Sequence, residues 1–511
     1  MAVMREIWAE LLMLDSVESD DDFFELGGFS ILAIQVVGEV SERLGLTIDL
    51  GFVLEHPVLR DFVANLPAKA SDDSDCEFPT ETAEGFHPVT AQQQSMLELL
   101  DGPGNGLDYD LEWRFELDHD IDPALFAAAV SIVADAQPAL RTRLTRSSDG
   151  GFQQFVVPTA DATFRRTEAT DSVLDSDLFG LRLTNGAGDQ PATFTIRASH
   201  VIFDGWSLGL LLRSLEEAYD IVAGAHPTAG LATAPRMLYT NYARWQRRHR
   251  GSSEELAGWQ WWDASLEGYT GPSAWIESFV AKTSRPTSFA ADVVAVDLPP
   301  DVTSEVSRLA RGLRITPFAV YLACFGAVLQ AAKQDHDVVV GSSTATRDLA
   351  PMMNTIGYLA NGRLTRISSA SKSVGDLIDQ CASWWAAAGA YPEIHMEQVV
   401  DRSGNPAFID AKFSLQDAPG SGAPEIALGS VKATLRRETV DASVRRPLDV
   451  ALTPRASGGA ELRAVFRPDT LDRDAVTKFL DQFKWVLDRF ITDLDADLTA
   501  LRDHVRREFL S

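Results

Sequence analysis

The chain has 511 residues, which is too long for one ordinary domain and long enough for two or three. Hydrophobic residues make up 45% and charged residues 23% of it, as in ordinary globular proteins, while the formal net charge of −29 disfavours binding to a nucleic-acid backbone. It contains no apolar run long enough to cross a bilayer, no signal-peptide pattern and only three widely separated cysteines, so we expect a cytoplasmic protein with reduced thiols and no metal site.

Residues 1–66 have the pattern of a small helical domain. Trp8 and Leu11 lie on one apolar face of a first predicted helix, a second helix is predicted from Ser30, and a short last helix follows Pro57. We expect these segments to form a four-helix bundle. The next segment, 67–85, is short, polar and acidic, and this composition predicts a linker.

From residue 86 onward, predicted strands alternate with predicted helices. The segment 111–117 places Leu111, Trp113 and Phe115 on one face of a strand, and the segment 317–333 is typical of a helix. This stretch of mixed α and β structure exceeds the size of one ordinary core. We therefore expect two lobes, 86–267 and 268–511, with the boundary in a segment that contains glycine and proline.

Ser30 follows two glycines at the predicted start of the second helix, in the sequence DDFFELGGFSILA (21–33). A serine in this position ordinarily caps the helix by accepting backbone N–H bonds. Gly27 and Gly28, however, permit a tight turn that exposes the hydroxyl, and a helix N-terminus attracts negative charge. A phosphodiester on the Ser30 oxygen is therefore electrostatically favoured.

The sequence around Ser30 resembles the attachment site of peptidyl carrier domains of nonribosomal peptide synthetases, over residues 3–66. The resemblance implies that Ser30 carries 4′-phosphopantetheine, added by a phosphopantetheinyl transferase, and that its thiol holds the growing peptide as a thioester. Phe29 departs from the family, which more often has His or Asp there, and the departure bears on the choice of partner enzymes.

His200 and Asp204 lie in the sequence RASHVIFDGWSLGLLL (197–212), directly after a predicted strand. A histidine at a strand end is ordinarily structural, but an imidazole can also orient an amine or accept its proton. Gly205 can present an N–H group to a developing oxyanion, whereas Asp204 is better suited to hold the loop through an arginine.

This segment resembles the HHxxxDG signature of condensation domains, the peptide-bond-forming units of the same synthetases, and the resemblance covers most of residues 87–500. Five other segments resemble further motifs of the family more weakly, and they occur in the same order as in the family. They are 90–100, 139–144, 239–246, 355–366 and 408–419. The resemblance implies an α/β (α+β) fold of two lobes with a chloramphenicol-acetyltransferase-like pseudodimer architecture. It also implies that neither a metal ion nor a nucleotide is needed.

Carried over by position, the resemblance makes His200 the active-site histidine, Asp204 the structural aspartate and Gly205 the last residue of the motif. The resemblance also implies an ion-pair partner for Asp204, and both Arg141 and Arg347 are candidates. Asn361 and Gln416 match positions that face the substrate tunnel, although either residue could instead belong to the core.

The chain departs from the condensation-domain pattern at three places. Ser199 replaces the first histidine of the motif, residues 136–138 replace the usual RHE, and the segment 391–400 keeps only part of the usual HQDxPFE pattern. These changes predict an unusual substrate or a lowered rate.

The resemblance predicts a didomain that transfers a donor peptidyl group from the carrier to the amine of an acceptor aminoacyl thioester. No epimerisation domain lies between the two domains, which predicts an L-donor and an L-acceptor. We expect a monomeric piece of a larger synthetase, with an upstream adenylation domain and a downstream acceptor carrier as partners. Two alternatives stay open: ester formation with a hydroxyl acceptor, and a catalytically silent platform that recruits other proteins.

Overall fold

The structure is a computed structural model of the chain. It describes residues 1–67, 84–100, 110–159, 164, 173–186, 190–225, 230–281, 290–333, 336–347, 350–416, 425–439 and 444–511, apart from short gaps at 13, 15, 25, 27–29, 47, 49, 175, 346, 406 and 456. Gly27, Gly28, Phe29 and nearly all of the predicted linker therefore lie outside the described residues, and only the backbone of Ser30 is described.

The described amino-terminal residues form four helices around an apolar core of their own. The helices are α1 (Ala2–Leu12), α2 (Ser30–Leu44), α3 (Leu50–Glu55) and α4 (Leu59–Asn65). The fully buried Trp8 ring packs edge-on against Phe23 and Phe62, with ring centroids 5.1 and 5.8 Å apart. The helix predicted to begin at Ser30 does begin there.

The next part of the chain mixes strands and helices as the sequence predicts. Its elements are β1 (Gly85–Pro88), α5 (Ala91–Leu100), β2 (Asp110–Leu117), α6 (Pro123–Ala136), β3 (Thr142–Arg146), β4 (Phe152–Val156), β5 (Phe179–Thr184), β6 (Thr193–Ser199), α7 (Gly205–Val222), α8 (Tyr239–His249) and α9 (Ser253–Ser265). Trp113 and Phe115 alternate inward along β2, and Phe115 stacks on Phe194 of β6 at a centroid distance of 4.6 Å.

The carboxyl-terminal part has its own, larger core. Its elements are β7 (Asp292–Leu298), α10 (Pro300–Leu313), α11 (Pro317–Ala332), β8 (Val338–Ala345), β9 (Ala360–Ile367), α12 (Val374–Gly389), α13 (Met396–Ser403), β10 (Ala411–Leu415), β11 (Glu425–Leu428), β12 (Val431–Thr439), β13 (Leu448–Pro454), β14 (Ala460–Phe466), α14 (Arg473–Thr492) and α15 (Leu498–Leu510). Every residue of α11 after Pro317 is buried, because α12, α14 and α15 all pack around this helix.

The described strands form three sheets. The order is β1-β4-β3 in the first, β11-β12-β2-β6-β5 in the second and β7-β14-β13-β10-β8-β9 in the third. Pairing is antiparallel except where β10 runs parallel to β8 and to β13. Residues 425–439 belong to the carboxyl-terminal part of the sequence. Because β12 pairs with β2, they nevertheless form part of the sheet of the preceding lobe.

The lobe boundary at residues 267 and 268 and the pseudodimer arrangement stay predictions. Helix α9 lies before that boundary, yet its Trp262 packs in one cluster with Val339, Leu364 and Ile394. Among the described residues, no single helix is long and apolar enough to cross a membrane, and only α10 and α11 together, bent by 108°, meet that test.

Candidate active site

His200 opens a short 3₁₀ turn, His200–Ile202, between β6 and α7. The amide of Gln93 holds this turn by donating to the carbonyl of Val201 at 3.2 Å. Gln93 is itself fixed at the start of α5, because its side-chain oxygen accepts from the backbone N–H of Thr90 at 3.0 Å. The segment 90–100, identified from its resemblance to the opening motif of the family, therefore positions the histidine turn.

An aromatic ring packs against the His200 imidazole. The ring of Tyr358 meets it edge-on, with centroids 4.9 Å apart and planes at 72°. The carbonyl of Tyr358 accepts a hydrogen bond from the Tyr239 hydroxyl at 3.1 Å, and Tyr239 lies 3.0 Å from the Thr90 hydroxyl. Tyr358 was not among the predicted site residues, although it lies within the segment 355–366 that resembles the family.

Asp204 is the N-cap of α7 and joins that helix to a distant segment of the chain. Its carboxylate accepts from the backbone N–H and the hydroxyl of Ser207 at 2.9 and 2.7 Å. It also accepts from the N–H groups of Leu359 and Ala360, both at 3.0 Å. Asp204 therefore fixes the start of β9 against the turn that carries His200.

Arg347 is the ion-pair partner of Asp204. Its two terminal nitrogens lie 2.9 and 3.0 Å from the two oxygens of the carboxylate, and both side chains are buried. Burial raises the pKa of Asp204, but the Arg347 guanidinium and the hydrogen bonds from Ser207 outweigh it and hold that pKa below its ordinary value. Asp204 is therefore ionised at neutral pH.

Arg141, the other candidate partner, does not contact Asp204. Its guanidinium donates to the carbonyls of Ala134 and Val157 at 3.0 and 2.6 Å and so joins α6 to the residue that follows β4. The two arginines could not be separated by sequence, because the distance between each of them and Asp204 depends on how the lobes pack.

Gln137 lies at one of the three departures from the family pattern and is structural. Its amide donates to the carbonyl of Asn354 at 2.7 Å, and its oxygen accepts from the N–H of Ile356 at 3.0 Å. These two bonds hold the segment that leads to Tyr358. The departure at 136–138 therefore still supports the site.

Gly205 is exposed at the first position of α7, and a Cβ built on it would have no atom within 4 Å. Its N–H belongs to the first turn of a helix, where N–H groups have no partner inside the helix. This open position at the start of α7 is compatible with the predicted role of Gly205 as an N–H donor to an oxyanion.

The other two predicted supporting residues differ in their surroundings. Asn361 is buried at the start of β9 and donates to the carbonyl of Pro392 at 3.2 Å, so it ties β9 to the segment before α13. Gln416 is exposed just after β10 and accepts from the Thr453 hydroxyl at 3.3 Å. No described contact joins either residue to His200.

The imidazole of His200 is half-buried and neutral at pH 7. Burial is the main cause that lowers its pKa; the charge of Lys412 lowers it further, and the charge of Asp204 opposes this. Its Nδ1 is buried without a hydrogen-bond partner among the described residues, so Nε2 is the nitrogen that can reach a ligand. Ser199 precedes it with a hydroxyl that is also buried and has no partner in the described part of the chain.

Helix α2 supplies a suitable end for a phosphate. It begins at Ser30, it is 15 residues long, and its first turn contains no acidic residue. It also contacts the 3₁₀ turn Ala350–Met352, which precedes the segment that carries Tyr358. The N-terminus of α2 at Ser30 therefore fits the phosphate of a phosphopantetheine group.

Comparisons with known proteins identify both domains. Residues 178–502 match the family model of the condensation domain, and residues 2–66 match that of the phosphopantetheine attachment site. The chain therefore belongs to the condensation-domain family. It is a carrier–condensation didomain of the nonribosomal peptide synthetase type, and 4′-phosphopantetheine is the cofactor of its carrier domain.

Similar proteins are very large synthetases. Tyrocidine synthase 3 of Brevibacillus parabrevis is 27% identical over 82% of this chain, which corresponds to 7% of that protein. Malpinin synthetase of Mortierella alpina is 25% identical over 80% of this chain, which corresponds to 6% of that protein. The chain thus spans a small fraction of the length of the relatives it matches.

Solved structures show the same fold for the second domain. The X-domain from teicoplanin biosynthesis superimposes with a TM-score of 0.68 at 17% identity, over 82% of this chain and 99% of that one. The first condensation domain of the calcium-dependent antibiotic synthetase, in complex with a substrate analogue, gives a TM-score of 0.66 at 16% identity, over 82% of this chain and 98% of that one.

Proposed function

We propose that the chain forms peptide bonds in nonribosomal peptide synthesis. The carrier holds a donor peptidyl group on phosphopantetheine at Ser30, and the condensation domain transfers it to the amine of an acceptor aminoacyl thioester. The observation that carries this proposal is the neutral, half-buried His200, which packs against Tyr358 and lies four residues before the buried Asp204–Arg347 pair.

The geometry supports a base at Nε2 of His200. As the acceptor nitrogen forms its bond to the donor carbonyl carbon, Nε2 accepts a proton from that nitrogen. The N–H of Gly205 stabilises the negative charge that develops on the carbonyl oxygen. His200 then gives the proton to the departing sulfur, so the carbon–sulfur bond breaks and the imidazole is neutral again.

The phosphopantetheine arm, when bound, supplies the thioester that activates the donor carbonyl. Ser30 would carry it, and the N-terminus of α2 would stabilise its phosphate. Because both reactants arrive on carriers, proximity supplies much of the rate, and His200 needs to contribute only proton transfer and orientation. A phosphopantetheinyl transferase, an upstream adenylation domain and a downstream carrier are the partners that this reaction requires.

A single-turnover mass measurement tests the proposal. Ser30 is loaded with a peptidyl group, an aminoacyl carrier is added, and both masses are followed. We expect the acceptor to gain the donor mass, and His200→Ala to slow this by roughly a hundredfold to ten-thousandfold. The matched control is His119→Ala, on an exposed turn, which leaves the rate unchanged. Equal transfer by His200→Ala and by the parent chain would show that His200 is not the base.

The same measurement tests the stereochemical proposal. The predicted linker at 67–85 leaves no room for an epimerisation domain, and this supports a donor that ends in an L-residue or glycine. We expect an L-ended donor on Ser30 to be transferred faster than its D-ended counterpart. A faster D-ended donor would contradict the L-to-L assignment and leave peptide-bond formation intact.

Ser199 favours a second candidate, a silent platform that recruits other proteins, because it replaces the first histidine of the motif and its hydroxyl is buried without a partner among the described residues. A complex of the X-domain and OxyB from teicoplanin biosynthesis has this fold with a bound partner. A loaded donor that stays intact with both amine and alcohol acceptors would support this platform. Transfer to alcohols alone would instead support ester formation.

A further inference from the structure

The imidazole of His200 lacks the hydrogen bond that ordinarily orients a histidine base. Such a base is held by a bond from its other ring nitrogen to a carboxylate or a backbone carbonyl. The Nδ1 of His200 has no such partner among the described residues, and the carboxylate of Asp204 is already bound by Arg347 and Ser207. Backbone groups of His200 itself and of Phe203 oppose the lowering of its pKa, but none makes a hydrogen bond of ordinary geometry with Nδ1. Another contact must therefore orient the ring.

The ring of Tyr358 is in contact with the imidazole. The two ring centroids lie 4.9 Å apart and the two planes meet at 72°, which is a favourable edge-to-face arrangement. Rotation about the last side-chain torsion of a histidine is otherwise broad. Because Tyr358 packs directly against the imidazole of His200, it restricts this rotation. Both residues are half-buried, so the contact leaves part of the imidazole accessible to a substrate.

The backbone that carries the Tyr358 ring is itself fixed on both sides. Before it, Gly357 exchanges two hydrogen bonds with Ser207: its N–H donates to the hydroxyl oxygen and its carbonyl accepts from the hydroxyl, both at 3.1 Å. The carbonyl of Tyr358 accepts from the Tyr239 hydroxyl at 3.1 Å, and the next N–H along the chain donates to Asp204 at 3.0 Å. Ser207 and Asp204 belong to the start of α7, directly after the histidine turn. The ring and the imidazole are therefore held to the same helix end.

We propose that Tyr358 is a positioning residue of the condensation site. Its ring takes the place of the hydrogen bond that Nδ1 of His200 lacks, and it keeps Nε2 aimed at the amine of the acceptor. The role belongs to the aromatic ring and not to the hydroxyl, so phenylalanine at this position would fulfil it as well. This inference rests on the proposed function, in which Nε2 accepts the proton of the attacking amine.

Single-turnover transfer over a range of acceptor concentrations tests the proposal. We expect Tyr358→Leu to lower the maximum rate by roughly tenfold to a hundredfold, because a small misplacement of a reacting group is enough for such a loss. The acceptor concentration that gives half of that rate should stay the same, and Tyr358→Phe should keep most of the rate. The matched control is Phe155→Leu, a half-buried aromatic residue whose ring lies 4.7 Å from that of Phe86, and it leaves both quantities unchanged.

Nitrogen NMR of the histidine rings in the full chain reports the imidazole directly and requires no reaction. The signals of His200 are identified by their loss in His200→Gln. We expect the parent chain and Tyr358→Phe to show one neutral form of His200, with the proton on Nδ1. Tyr358→Leu should show signals averaged between the two neutral forms, because the ring is then free to turn. Urea titration checks that each variant is folded, and Tyr358→Met replaces Tyr358→Leu if the latter is not.

Equal rates and equal His200 signals in the parent chain and in Tyr358→Leu would overturn the proposal. A loss in Tyr358→Phe as large as that in Tyr358→Leu would overturn it as well, because the hydroxyl would then be the important group. So would a higher half-saturating acceptor concentration at an unchanged maximum rate, which is the result for a substrate contact. The proposed function fails differently: equal transfer by His200→Ala and the parent chain contradicts the base, while the NMR comparison still shows whether Tyr358 orients the imidazole.

Discussion

The carboxylate of Asp204 accepts hydrogen bonds from two segments that are far apart in the sequence. Ser207 belongs to its own helix, while Arg347 and Leu359 come from the segment between β8 and β9. Each oxygen has more than one donor, so the carboxylate has little freedom to rotate. Because His200 lies only one short turn before it, the position of the imidazole depends on this buried pair.

Asp204→Asn should destabilise the condensation domain strongly. The amide keeps the shape of the carboxylate but leaves the buried Arg347 guanidinium without a counter-charge, and breaking such a pair costs about 3–5 kcal/mol. The free energy of unfolding from urea titration measures the effect, with Asp481→Asn on the exposed face of α14 as the control. A loss below about 1 kcal/mol, the size expected for a surface pair, would contradict the assigned role.

The pH profile of transfer should report the lowered pKa of His200. A histidine with its ordinary pKa of about 6.5 begins to lose its basic form just below neutral pH. Because burial lowers the pKa of His200, the neutral form persists below that value, and the rate should decline only at lower pH. Dividing the rate by that of His200→Gln at each pH removes the titration of the acceptor amine. A ratio that already falls by half near pH 6.5 would contradict the lowered pKa.

Among the larger elements, the segment between β8 and β9 joins the lobes. Its residues Met352, Ile356 and Leu359 are buried in the core of the preceding lobe. Within this segment, Gly357 packs closely against the preceding lobe. Its N–H donates to the Ser207 hydroxyl oxygen at 3.1 Å, and a Cβ built on it would lie 2.3 Å from the Tyr239 ring. Only glycine allows this approach of backbone to ring.

Gly357→Ala should therefore both destabilise the domain and slow transfer. Overpacking of this kind costs about 1–3 kcal/mol, and displacing the backbone moves Tyr358 away from His200. Gly312→Ala is the matched control: it lies exposed in α10 with no atom within 4 Å of the added methyl, and alanine there should add about 0.5–1 kcal/mol through helix propensity. Thermal unfolding and single-turnover rates measure the two effects. Destabilisation by both variants alike would contradict the specific clash at Gly357.

The sequence predicts features that depend on interactions between neighbouring residues, and it does not predict contacts between residues that are far apart in the chain. The start of α2 at Ser30 and the alternation of Trp113 and Phe115 along β2 depend on neighbours in the chain, and both were predicted. The partner of Asp204 lies 143 residues away in the chain. The sequence alone therefore does not show which of Arg141 and Arg347 contacts Asp204. Tyr358 lay inside a recognised segment, but which way its ring turns depends on Tyr239 and Gln137 from distant elements.

At the scale of the whole molecule, the carrier and the condensation domain have separate cores, whereas the two lobes share one sheet. The carrier core of Trp8 and its neighbours is a cluster of its own within the described residues. Strands β11 and β12 come from the carboxyl-terminal part of the chain but hydrogen-bond into the sheet of the preceding lobe beside β2. Unfolding of either lobe would therefore disturb the other lobe through the sheet that they share.

Native-state hydrogen exchange should show two units of stability. We expect amides of α1 and α2 to exchange through opening of the carrier alone. We expect amides of β2, β12 and β8 to share one higher free energy of opening, because β12 cannot separate from β2 without disturbing the lobe that contains β8. Mass spectrometry of peptic peptides across a series of denaturant concentrations measures these values. Peptides of α14, in the carboxyl-terminal core, are the internal reference for that lobe. If β2 and β12 opened together at a free energy clearly different from that of β8 and α14, the lobes would be independent units.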